Sequence, residues 1–193
     1  MFRSIYRLLC GSLLVATVIA VTGSGARSDE LLSKLAGYSI RVSISYELTL
    51  AREQRPVAVS RNFTLYVSTA GRLFLRDEGR NSNDQTIRNL TVVVPGERRH
   101  NPKTNTSSGW LVEGETLTRF FDMTTTRQSF RINVRSDRTS WACTVRVDYR
   151  NLVDGKRLET RSWRTGKPVE FLSFRQTGSS CRVTRGNLLA TEN

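Results

Sequence analysis

From Tyr38 to Leu50 the chain alternates without a break. Tyr38, Ile40, Val42, Ile44, Tyr46, Leu48 and Leu50 are apolar, and Ser39, Arg41, Ser43, Ser45, Glu47 and Thr49 between them are polar. Such a run predicts one long strand with a single buried face. A strand of that length bends or coils, which suits a barrel or a strongly twisted sandwich. Period two continues downstream. Val57 to Ser68 reads as the next strand, and Gly71 supplies the positive φ that a hairpin into Arg72–Arg76 requires. Residues 77–85 read as a polar loop, Ile87–Val94 as a strand stopped by Pro95-Gly96, and 97–109 as a second loop. Trp110 and Val112 open a hairpin through Gly114 to Leu117 and Phe121. Strands around Phe130–Val134, Trp141–Tyr149, Leu158–Trp163, Val169–Phe174 and Cys181–Val183 follow, with Asp154-Gly155 as a turn signal. The prediction is an all-β domain of about nine or ten antiparallel strands, an up-and-down barrel or a twisted sandwich. A short N-terminal helix precedes it, capped by Ser28 or Asp29, with Leu31, Leu32 and Leu35 on its apolar face and Gly37 at its end.

The start of the chain has a different character. Arg3 and Arg7 precede an apolar stretch from Leu8 to Val21, and small residues follow from Thr22 to Ala26. A basic start, a short apolar core and small residues at −3 and −1 make a secretory signal. Ser24 and Ala26 fit those positions, giving residues 1–26 as signal peptide and 27–193 as one domain. The apolar stretch is shorter than the ~20 residues that span a bilayer, so no stable membrane span is expected. The expected location is periplasmic or secreted. Cys10 leaves with the signal, and Cys143 and Cys181 remain. An even pair in an oxidising compartment predicts a disulfide.

Charge adds a partner class. The chain carries +13, and loss of Arg3 and Arg7 with the signal leaves +11. Lys34, Lys103, Lys156 and Lys167 are the only lysines, so arginine supplies most of the charge. Arginine forks bind phosphate and carboxylate in a bidentate way. An anionic envelope component or another envelope protein is therefore an expected partner, while nucleic acid is not expected for an exported chain. Arg98 and Arg99 in the 97–109 loop are the candidate anion contacts. Trp110 and Trp163 at strand ends are candidates to line a barrel mouth around a small apolar ligand. Trp141, in phase with Cys143, Val145 and Val147, reads as core packing.

Catalytic chemistry finds little purchase. His100 is the only histidine and lies in a polar stretch beside Arg98 and Arg99. No catalytic residue, metal site or cofactor is expected, and the acidic neighbours Asp77 with Glu78 and Glu113 with Glu115 fall at turns. The leading expectation is a non-enzymatic binding protein of the bacterial envelope, holding a small apolar ligand or an anionic component. The alternative is a structural or interaction protein with a filled core.

The segments from Leu35 to Ser43, from Leu65 to Phe74 and from Ser179 to Asn187 resemble a group of small exported β proteins of alphaproteobacteria. That resemblance implies export and brings no activity with it. The short helix, the Leu35-Ala36-Gly37 start and the hairpin from Gly109 to Leu117 are similar to lipocalin-like barrels. Ser39 stands where a lipocalin tryptophan would be.

Overall fold

The computed structural model describes residues 25–51, 55–80, 86–123, 125–137, 140–161 and 167–190. The expected signal up to residue 24, and Trp163, lie outside the described residues. Helix α1 spans Gly25–Lys34. It begins earlier than the Ser28 or Asp29 cap expected from sequence, so both residues lie within it, and the expected cleavage point after Ala26 falls in its first turn. Leu31, Leu32 and Leu35 are buried as their spacing predicts. The chain leaves the helix at Gly37, whose φ of +81° disfavours a residue with a Cβ. The Gly37 amide donates to the Val67 carbonyl at 2.8 Å, which fixes the helix against the sheet.

Eleven strands follow among the described residues: β1 (Tyr38–Leu50), β2 (Val57–Val67), β3 (Leu73–Arg80), β4 (Thr86–Val93), β5 (Arg98–Asn101), β6 (Thr106–Glu113), β7 (Thr116–Asp122), β8 (Thr126–Ser136), β9 (Trp141–Asn151), β10 (Glu159–Arg161) and β11 (Pro168–Arg185). They form two antiparallel sheets, ordered β10-β11-β1-β2-β3-β4 and β5-β6-β7-β8-β9. The sheets curl toward one another as a half-barrel or sandwich. Three expectations change. The 97–109 loop contains β5 and the start of β6, and residues 77–80 extend β3. The two short segments at Val169–Phe174 and Cys181–Val183 are parts of one 18-residue strand, β11. Its middle, Gln176 to Ser180, carries no apolar alternation, yet it pairs with β1 across register shifts at Ser45/Tyr46 and Thr49/Leu50. Each shift leaves an extra residue on β11 and bends it, as β-bulges do.

The core lies between the sheets. Ile40, Val42, Ile44, Leu65 and Leu73 come from the first, and Leu117, Ile132, Val134 and Val147 from the second; each is at most 1% exposed. Full burial of such a side chain stabilises by about 1.5–3 kcal/mol. Side chains and isolated backbone bonds bridge the seams that no ladder joins. At the β9/β11 seam Cys143 and Cys181 form the expected disulfide, their Cα atoms 5.3 Å apart. Beside it the Gln176 side chain acts as a rung. Its Oε1 accepts from the Val147 amide at 3.1 Å, and its Nε2 donates to the Val145 carbonyl at 3.4 Å. At the β4 edge the Arg99 guanidinium donates to the Val92 carbonyl at 3.2 Å, and the Gly96 amide donates to the Trp110 carbonyl. Trp141 packs on Tyr38 with ring centroids 5.6 Å apart, against the core as expected. Among the described residues no helix is long and apolar enough to cross a membrane.

Candidate functional site

Arg119 and Asp77 form an ion pair in the interior. Arg119 sits on β7 in phase with Leu117 and Phe121, on the face that packs toward the first sheet. Its guanidinium lies over the rings of Phe121, Phe63 and Trp110, at 4.6, 5.7 and 5.8 Å from their centroids. Asp77 of β3 accepts from its Nη2 at 2.6 Å. This pairing satisfies a charge that is only 14% exposed. A cavity of about 220 Å³ lies on one side, lined by Leu75, Val93, Trp110 and Arg99 among others. Another of about 110 Å³, walled by Phe63, Phe121 and Phe130, lies on the other. Both fall short of the ~300–1,000 Å³ that drug-sized ligands occupy. Further along, the Gln128 amide donates to the hydroxyls of Tyr46 at 2.8 Å and Tyr149 at 2.5 Å. Burial, reinforced by Tyr46, pushes the Tyr149 hydroxyl above the ordinary tyrosine range.

The outer face of the second sheet carries the arginines. Phe130, Ile132 and Val134 of β8 and Val145 and Val147 of β9 face the core. Arg127, Arg131 and Arg135 of β8, and Arg146 and Arg150 of β9, alternate with them and face outward. The register sets Arg127 directly opposite Arg150 and Arg131 opposite Arg146. Directly opposite residues have Cβ atoms about 4.5–5.5 Å apart, and like charges there are destabilising. Two carboxylates temper the repulsion. Asp148 lies between Arg131 and Arg146, at 3.4 and 3.2 Å from their Nε atoms. Asp122 of β7 takes hydrogen bonds from Arg127 and from Arg98 of β5. Burial pushes the Asp122 carboxyl up, but the hydrogen bonds and charges of Arg127 and Arg98 outweigh it and hold the carboxyl below its usual range. Positive charge remains in excess: Arg131 and Arg146 are 54% and 78% exposed, and Arg150 is exposed too.

Phe120 anchors this face. It lies opposite Gly109 of β6 and Ser129 of β8, and the guanidinia of Arg127 and Arg98 cover its ring at 4.6 and 5.8 Å. A Cβ on Gly109 would meet the Phe120 ring at 2.7 Å and the Glu97 carbonyl oxygen at 2.6 Å. The glycine therefore opens the slot in which the ring lies.

The expected site residues separate. Arg98 joins the outer face, bound to Asp122 and stacked on Phe120. Arg99 works at the seam, bonded to Val92 and to Glu97 at 3.4 Å, and borders the larger interior cavity. Trp110 is 6% exposed and lies edge-on to Phe63, within the core, where it walls that same cavity. Trp163 lies outside the described residues. His100 is exposed on β5, within 3.3 Å of the Ser107 hydroxyl. Among the described residues no group of histidine, cysteine and carboxylate side chains could hold a metal ion. Sequence reasoning missed Arg119 and the Arg131–Arg146 pair. The first left a signal, a charge in phase with Leu117 and Phe121. The second left only the four-residue spacing of Arg127, Arg131 and Arg135. Set beside known proteins, the chain matches no family model, no curated protein and no solved structure.

Proposed function

We propose that the protein is an exported, non-catalytic binding protein of the bacterial envelope that holds an anionic envelope component on the outer face of its second sheet. The direct opposition of Arg131 to Arg146 and of Arg127 to Arg150 carries this reading. Such pairs cost folding free energy, and an anion bridging two forks removes that cost and adds charge-assisted hydrogen bonds. A small apolar ligand held beside Arg119 has less support, because the two cavities there are small and aromatic side chains fill the space around its guanidinium. The test is elution from an anionic matrix over a salt gradient. The protein should elute later than a globular control of equal net charge. Arg131→Gln with Arg146→Gln should elute clearly earlier than Arg72→Gln with Arg182→Gln, which removes the same charge from exposed positions elsewhere. Equal elution of the two double variants would overturn the assignment of the face.

A second reading, an interaction protein with a filled core, is favoured by one observation. Leu90, Val92 and Val94, along and just beyond edge strand β4, are 65%, 43% and 51% exposed. Native mass spectra of the protein from its own envelope separate the two. A small anionic adduct supports the first reading, and a stoichiometric protein partner supports the second.

A further inference from the structure

The arginine face does not end at Arg150. Beyond it β9 runs into a turn, residues 151–157, in which every residue is exposed. Leu152 follows Arg150 by two residues, just past the end of β9, and Leu152 and Val153 are 39% and 44% exposed. The turn is built to hold them out. The Leu152 amide donates to the Thr125 carbonyl at 2.7 Å, and the Lys156 amide closes back on the Val153 carbonyl at 3.2 Å. Gly155 takes the required positive φ of +71°. The Thr125 hydroxyl donates to the Arg157 carbonyl at 3.1 Å, which ties the far side of the turn to the same loop. Arg150, Lys156 and Arg157 flank the two apolar residues in sequence and are exposed; Asp154 is the one acid in the turn, and Glu170 pairs with Arg157.

A soluble polyanion gains nothing from two apolar side chains fixed in water among cations. A lipid surface uses both, because apolar tips enter below the headgroups while cations meet the phosphates. The turn is held by a bond within it and by two to Thr125, so docking orders little chain. We infer that the anionic partner is the phosphate-bearing surface of a lipid membrane. Leu152 and Val153 enter it, while Arg150, Lys156 and the exposed Arg131 and Arg146 lie over the headgroups. This rests on the anion-binding reading above and names its partner.

The test is co-sedimentation of the folded, disulfide-bonded protein, as isolated from its cells, with vesicles of phosphatidylcholine alone or mixed with phosphatidylglycerol. Binding is expected only to the mixed vesicles and should weaken with salt. Leu152→Ser with Val153→Ser should bind about tenfold or more weakly, as expected for losing part of the burial of two aliphatic side chains. The same variant should keep wild-type elution from a dextran sulfate column. Leu152→Trp, with a ring suited to the interface, should bind the mixed vesicles at least as tightly as wild type. Vesicle binding that ignores both substitutions overturns the lipid inference, as does retention on dextran sulfate without any vesicle binding; either result leaves the anion-binding reading standing. Failure to bind either support overturns that reading as well.

Discussion

Gly109 shows how one absent methyl group organises a face. Its hydrogen leaves the slot in which Phe120 lies, and that ring in turn supports the Arg98 and Arg127 guanidinia. Gly109→Ala should therefore cost about 1–3 kcal/mol as an overpacked site, read as a lower urea midpoint with an unchanged slope. Asp122 is the charge that holds those two guanidinia. Asp122→Asn should cost about 1–3 kcal/mol at neutral pH, where a charge-assisted network loses its acceptor. The folded Asp122 carboxyl titrates below its usual range. Its contribution is thus fully present above the unfolded value of about 3.9 and is lost as pH falls through the folded value. The stability gap between variant and wild type should accordingly close in urea titrations carried well below pH 4. At this scale the sequence was legible wherever a residue acts alone: Gly71 and Gly155 as turn formers, Leu31, Leu32 and Leu35 as a buried stripe. It was silent where a role depends on a cross-strand neighbour. Nothing local tells that Gly109 faces Phe120, or that Arg98 reaches Asp122 across β6.

Strands defined by alternation were legible, and strands defined by their partners were not. Tyr38–Leu50 matches β1 residue for residue, because one face is almost continuously buried. The four residues of β5 are all exposed, so no buried face marks them in the sequence, and pairing with β6 alone makes them a strand. The middle of β11 is a strand only because β1 lies beside it. The same strand forms one side of the β9/β11 seam, where a disulfide and a glutamine replace a ladder. The bridge closes a sequence separation of 38 residues, which the chain-entropy model values at about 4 kcal/mol. Reduction should lower stability by an amount of that order in urea titrations. Gln176→Ala should cost about 1–3 kcal/mol by stranding the Val147 amide. Because the two devices share one seam, the glutamine substitution should cost more in the reduced protein than in the oxidised one.

For the whole molecule, class and charge were legible from composition and period, but the location of the charge was not. Alternation assigns each arginine to a face; only the register of β8 against β9 makes neighbours of Arg131 and Arg146. The two sheets also differ in their exposed surfaces. One carries the exposed apolar stripe of β4 at its edge, and the other carries the cationic face with the exposed Leu152 and Val153 beyond it. The chain's path has a further consequence, for the timing of folding. The first strand lies between β2 and the last, with Tyr38 opposite Arg185. Closing that pair encloses nearly the whole domain, a long-range contact of the kind that slows folding. A chain made from its N-terminus carries β1 with one edge unpaired until its final strand follows. Arrival of the last strand is thus the event that completes the first sheet.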